Sequence, residues 1–291
     1  MAHLSDNSNW IKITQPQAAN PLLFTTRLLA STKAAKVLGQ TADTSTSNII
    51  LPQAKACVLT PQADEGPYYH DPKLVRTDIT EGKKGVPLVL LLQVIDTSGC
   101  TPLSGARVDV WHTDAVGAYS GYEGQGDDQA VSTTGQTFLR GTQMTDTLGE
   151  VTFTTIYPGW YPERTPHIHL KVFLDEQNVL TSQLYFPDAL SEYIYQNVSP
   201  YNTRTVERVM VNTTDSVLHD SGGGHESFVN IKEEADYYLA SIVIGVDRNA
   251  TPTVETGPGN GTGMGQPPAM EGWPTTTKPT TPLVPGVTST Q

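Results

Sequence analysis

The feature that most restricts how this chain can fold is a succession of short apolar runs, each the length of one strand, separated by turn residues. VPLVLLLQVID at 86–96 is a continuous run bounded by Gly85 and by Thr97-Ser98-Gly99, which suits a strand covered on both faces. ARVDVWH at 106–112 alternates instead: Ala106, Val108 and Val110 project to one face, Arg107, Asp109 and Trp111 to the other. TFLRGTQMTD, GEVTFTTIYP, HIHLKVFLD and LTSQLYF follow, with turns such as Asp146-Thr147-Leu148-Gly149 between them, and YYLASIVIGVD at 237–247 closes the series. Strands of this length at this spacing imply an all-β domain, an antiparallel β-sandwich carrying long loops. Residues 189–202 read as a short helix or a loop.

The strand series lies within residues 51–247, which we take as the one folded domain of the chain. Residues 1–50 are rich in Ser, Thr, Asn and Ala, with one helix candidate at 21–39, and read as an N-terminal extension. Residues 248–291 are dominated by Pro, Thr and Gly and bury too little apolar surface to offset chain entropy, so this tail is expected to be disordered. No run approaches the roughly 18 apolar residues of a membrane-spanning helix. The apolar stretch at 22–38 contains Arg27, Lys33 and Lys36 and makes a poor secretory signal, so a soluble protein is expected, cytoplasmic or secreted. A net charge of −12 argues against nucleic acid as a partner, because phosphate affinity rests on Lys and Arg. Cys57 and Cys100 leave two readings open, one disulfide or two small buried thiols.

The chemistry concentrates around His167-Ile168-His169. In a strand, residues two apart share a face about 6–7 Å apart, which lets two imidazoles converge on one metal. Taken alone the pair reads first as two surface histidines. The preceding loop, Tyr157-Pro158-Gly159-Trp160-Tyr161-Pro162-Glu163-Arg164-Thr165-Pro166, changes that, because its prolines and glycine can hold a tyrosine and an arginine in a defined array. Glu163 is the only obvious local carboxylate for a two-histidine, one-carboxylate site. Tyrosine is the better candidate, since a phenolate is a hard, strongly donating ligand suited to Fe(III).

Four stretches together resemble the intradiol ring-cleavage dioxygenases, the family of protocatechuate 3,4-dioxygenase and catechol 1,2-dioxygenase. They are EGPYY (65–69), GARVDVWHTDAVGAYSGY (105–122), FLRGTQMTDTLGEVTFTTIYPGWYPERTPHIHLKV (138–172) and TSQLYF (181–186). The resemblance implies one mononuclear non-haem Fe(III) held by Tyr119, Tyr161, His167 and His169. It implies a catechol and dioxygen as substrates, Tyr161 as the base that takes a substrate proton, and Arg164 as the cation that stabilises charge on the ring. Gln183 would hydrogen-bond in the reaction pocket, and Gly66, Pro67 and Tyr68 would line the substrate mouth. Tyr122 and Tyr157 stand near the same motifs, and His112 reads as a structural histidine.

Two other readings stay open on the sequence: a non-catalytic, transthyretin-like β-sandwich serving as a binding module, and a copper or zinc protein using the same histidines. The chain shows no long helical dimerisation segment of the catechol 1,2-dioxygenase kind, and only five residues, 162–166, separate Tyr161 from His167. That short loop leads us to expect an open pocket. Which catechol is used and whether the chain forms a homo-oligomer are not specified by these residues.

Overall fold

A computed structural model describes residues 57–71 and 73–251. The expected N-terminal extension with its helix at 21–39, and all of the expected tail beyond residue 251, lie outside the described residues. Among the described residues the strands are β1 (Pro87–Asp96), β2 (Thr101–Pro102), β3 (Arg107–Trp111), β4 (Arg140–Met144), β5 (Glu150–Ile156), β6 (His167–Leu174), β7 (Gln177–Tyr185), β8 (Asn230–Glu233) and β9 (Tyr238–Val246). Each apolar run singled out above becomes one of them. Two helices follow β7, α1 (Asp188–Asn197) and α2 (Ser216–Asp220).

The strands form two sheets. One has the order β2-β1-β9-β8 with β5 also paired to β1; the other has the order β4-β3-β6-β7. Their inner faces make the core: Leu88, Leu90, Leu92, Val94, Phe153, Ile242 and Ile244 from the first, Val108, Val110, Ile168, Leu170, Val172 and Leu184 from the second. Burying each such side chain contributes about 1.5–3 kcal/mol. The sandwich is therefore as expected, with one difference: β9 runs parallel to β1. A two-residue rhythm fixes which side chains face inward and carries no information on strand direction. Both strands are nearly continuous apolar runs, the pattern that parallel neighbours show.

The outer face of the second sheet is unusual in being polar and buried. Cross-strand pairing sets Arg140 beside Trp111, Trp111 beside His169, and His169 beside Gln183, so these four form one row across the sheet. The next row is Thr142, Asp109, Lys171 and Thr181. All eight are at most 6% exposed.

Most of them are covered by the segment 57–71, which crosses from the first sheet to the second, while Arg140 is held under the loop that carries Ser120 and Tyr122. Thr60 N donates to Gly245 O at 2.9 Å and Ala63 N to Thr181 O at 2.8 Å. Tyr69 Oη donates to Asp109 Oδ2 at 3.0 Å, and Glu65 pairs with Lys171. Cys57 is bonded to Cys100, with Cα atoms 5.4 Å apart, which decides between the two readings of the cysteines.

Candidate metal centre

His167 and His169 open β6 on this covered face, and both are 2% exposed. Tyr119 comes from the loop after β3. The Asp114 carboxylate accepts Val116 N at 3.1 Å and Ala118 N at 3.0 Å, and Gln125 Oε1 accepts Tyr119 N at 2.9 Å, so the tyrosine backbone is fixed from both sides. Gly117, at φ +85°, lies so close to the Trp160 carbonyl that a Cβ would collide with it, which brings the Tyr119 loop against the Tyr161 loop. Tyr161 is the more accessible of the two tyrosines and sits in a tight turn closed by a bridge to Arg164, with Glu163 at φ +66°.

The four side chains expected to act together do meet. His167 Nε2 is 3.0 Å from His169 Nε2, 3.2 Å from Tyr161 Oη and 3.5 Å from Tyr119 Oη, and His169 Nε2 is 3.0 Å from Tyr119 Oη. Donors about 2.1 Å from a common ion lie about 3.0 Å apart at right angles and about 3.6 Å apart at 120°. The observed separations fall in that range. Hydrogen bonding alone leaves the set unsatisfied: His167 Nδ1 donates to Thr165 O at 2.7 Å, which turns its Nε2 lone pair inward, while buried His169 Nδ1 has no partner. Among the described residues no group of three or more His, Cys, Asp or Glu gathers, so tyrosine oxygens are needed to complete a donor set here.

Burial dominates the electrostatics. It pushes both histidines well below the ordinary imidazole value, with Arg164 adding to the effect, so they remain neutral and able to ligate. It also raises Tyr161 and holds Tyr119 well above the usual phenol range, against the opposing charge of Arg164. A multiply charged cation at the centre would reverse that balance for the phenols, and two phenolates would neutralise most of its charge. The donors present therefore fit a hard, trivalent ion.

Arg164 pairs with Asp215, Nε to Oδ2 at 2.9 Å, in place of the neighbouring Glu163, and its Nη2 donates to Gln183 Oε1. Gln183 is fully buried; its Nε2 donates to Asp64 O at 2.7 Å and its Oε1 also accepts Tyr185 Oη at 2.9 Å. Gly66, at φ +69°, would place a Cβ 3.4 Å from His169 Cε1. Tyr68 stacks on Tyr119 with centroids 4.6 Å apart, and Pro67 is exposed.

The remaining aromatics are engaged elsewhere. Tyr157 Oη bonds Ser191 Oγ at 2.7 Å within the core, and Tyr122 Oη donates to Tyr69 O at 3.0 Å. His112 is held between Thr113 O at 2.8 Å and Thr155 Oγ1 at 2.7 Å. Reading the sequence missed Asp215, Tyr185, and the buried Arg140 and Trp111, the last stacked on His169 at 4.7 Å. Only Asp215 had a visible signal, as an Asp before Ser-Val-Leu, the mark of a helix N-cap.

A family model described as dioxygenase matches residues 63–225, from the segment that covers the second sheet to five residues past α2. The protocatechuate 3,4-dioxygenase beta chain of Burkholderia cepacia is 33% identical over 166 residues, 52% of this chain and 68% of that relative. Catechol 1,2-dioxygenase of Acinetobacter baylyi is 31% identical over 148 residues, 43% of this chain and 45% of the relative, so the match spans less than half of that protein. An intradiol ring-cleavage dioxygenase from Tetranychus urticae has the same fold, with a TM-score of 0.62 at 32% identity over 68% of this chain and 98% of that one. These likenesses set aside the non-catalytic sandwich. Its family model, its relatives and its fold agree over the span that carries the four converging donors, and the chain belongs to the intradiol ring-cleavage dioxygenases, a family of enzymes.

Proposed function

We propose that the protein uses one ferric ion, held by Tyr119, Tyr161, His167 and His169, to cleave a catechol between its two hydroxyl-bearing carbons. Both atoms of dioxygen enter the product, a cis,cis-muconate-type diacid. The observation that carries this reading is the convergence of two phenol oxygens and two imidazole nitrogens to within 3.0–3.5 Å. When bound, the ion supplies Lewis acidity that draws both catechol oxygens to the site and makes the ring reactive toward dioxygen.

The chain's own residues have separate tasks. Tyr161, more accessible than Tyr119, is the phenolate placed to take a proton from an arriving catechol hydroxyl at its Oη. Tyr119, buried and covered by the Tyr68 ring, stays in place and keeps water from that side. Arg164 supplies a fixed positive charge to an electron-rich ring. Gln183, bonded at both ends of its amide, supports Arg164 at the pocket. Gly66, Pro67 and Tyr68 form the substrate mouth, and the five-residue loop 162–166 leaves room for substituted catechols.

We further place the catalytic unit at residues 51–247, and the Cys57–Cys100 bond supports an oxidising compartment. The test is to purify the chain, measure its iron and visible spectrum, and follow oxygen uptake with a panel of catechols. Stoichiometric iron, a phenolate-to-Fe(III) band and uptake with catechols are expected. Tyr161→Phe should retain iron, shift the band and lower the rate by about 10²-fold or more. Iron-loaded protein with no such band and no uptake would defeat the proposal.

A further inference from the structure

The side chain that grips Arg164 is not one the ring-cleavage reading employs. Asp215 is fully buried and serves three donors. Its Oδ2 accepts Arg164 Nε at 2.9 Å and Thr165 N at 2.7 Å, and its Oδ1 accepts Leu218 N at 2.9 Å, capping α2. The opposite side of the guanidinium is held by Gln183 Oε1, itself fixed by Tyr185 Oη at 2.9 Å and by its own amide bond to Asp64 O at 2.7 Å. Arg164 is thus held at Nε and Nη2 by groups that are themselves held. The same carboxylate reaches a second side chain through one peptide: Thr165 N donates to Asp215, and Thr165 O accepts His167 Nδ1 at 2.7 Å.

We propose that Asp215 is a positioning residue for ring cleavage, aligning Arg164 directly and the His167 ring through the Thr165 peptide. This rests on the reading of Arg164 given above. A carboxylate suits the task because both of its oxygens only accept. An amide would turn an NH2 toward one of three N–H donors, and a serine keeps a helix-cap acceptor while giving up the pair with the guanidinium. The polar stretch 204–228 thereby becomes part of the site, although none of its residues is among the four donors.

The test is a double-mutant cycle in the iron-loaded, full-length protein with Asp215→Ser, Arg164→Gln and the pair. Iron content, thermal midpoint, kcat, KM, and the dissociation constant of a slowly turned-over nitro-substituted catechol would be measured, the last by titrating the visible band. Asp215→Ser should lower kcat about 10–100-fold with KM changed less than about threefold, and should shift the visible band. In the Arg164→Gln background the further loss of kcat should be under about threefold, while the shift of the visible band, which reports the route through Thr165 to His167, should persist. If Arg164→Gln leaves kcat unchanged, the reading of Arg164 falls and takes this inference with it. If Arg164→Gln lowers kcat while Asp215→Ser does not, or if the two losses multiply, this inference alone is overturned. Should Asp215→Ser fail to fold, Asp215→Asn enters the same cycle; failure of both to fold assigns Asp215 to the fold and also overturns it.

Discussion

β1 and β6 keep the same rhythm and spend it differently. Each sends alternate side chains into the core, Leu88, Leu90, Leu92 and Val94 from one, Ile168, Leu170 and Val172 from the other. Behind β1 the alternate positions are mixed, Val89 and Gln93 half-buried and Leu91 and Ile95 buried, the buried ones apolar. Behind β6 stand His167, His169 and Lys171, all taken out of water. Desolvating polar groups is costly unless they are paired, and most here are: Lys171 with Glu65, Asp109 with Arg107, Thr142 and Tyr69. Three buried atoms with no hydrogen-bond partner, Arg140 Nη1, Trp111 Nε1 and His169 Nδ1, fall in one row of that sheet. Stability therefore resides in what the two sheets share, and on the function proposed above the chemistry falls on the outer face of the second.

That division is broken most sharply by His169→Ala. The expected outcome is loss of iron and a drop in oxygen uptake on the order of 10³-fold or more, with the thermal midpoint of the metal-free protein nearly unmoved. Retained iron and uptake would mean that the covered face of β6 is not the reactive one. The reciprocal change, Leu90→Ala in β1, should cost about 2–5 kcal/mol in chemical denaturation while turnover per bound iron stays the same. A large change in turnover per iron would show that the two sheets are not separable in this way.

A smaller effect probes the seam between them. His112, at the end of β3, bonds Thr155 of β5, and burial brings its pKa down to about 4 from 6.5. An unfolded chain takes up that proton first, so the stability His112 carries is complete above pH 6.5 and is lost as pH falls from 6.5 toward about 4. His112→Asn should flatten the acid limb of a stability-against-pH curve by at most about 1.4 kcal/mol per pH unit. An unchanged slope would place the proton uptake elsewhere.

The strands were legible because burial on one face imposes a two-residue period on sequence, and the histidine pair was legible because that period puts residues 167 and 169 side by side. β2 and β8 were not, being a two-residue ladder and a mostly exposed Asn-Ile-Lys-Glu with no apolar rhythm. The direction of β9 escaped for a related reason: alternation is the same read either way. At the site, Tyr119 and Tyr161 stood out through the motifs around them, whereas Asp215 lies 51 positions from Arg164 in a polar stretch resembling any capped turn. Long-range pairing leaves no periodic trace in a single sequence. Arg140 was hidden similarly, since an arginine in an alternating strand reads as solvent-facing unless one knows that the loop carrying Tyr119, Ser120 and Tyr122 folds over it.

The cover formed by residues 57–71 is closed into the domain by covalent chemistry. Because Cys57 is joined to Cys100, the ring of chain so formed contains both the cover and the whole of β1. The cover cannot peel off the histidines as a free end would. Lifting it off the histidines means breaking the bonds of residues 63–69 to Asp109, Lys171, Thr181 and Gln183 while both of its ends stay tethered, so opening this pocket costs more than the fraying of a terminus.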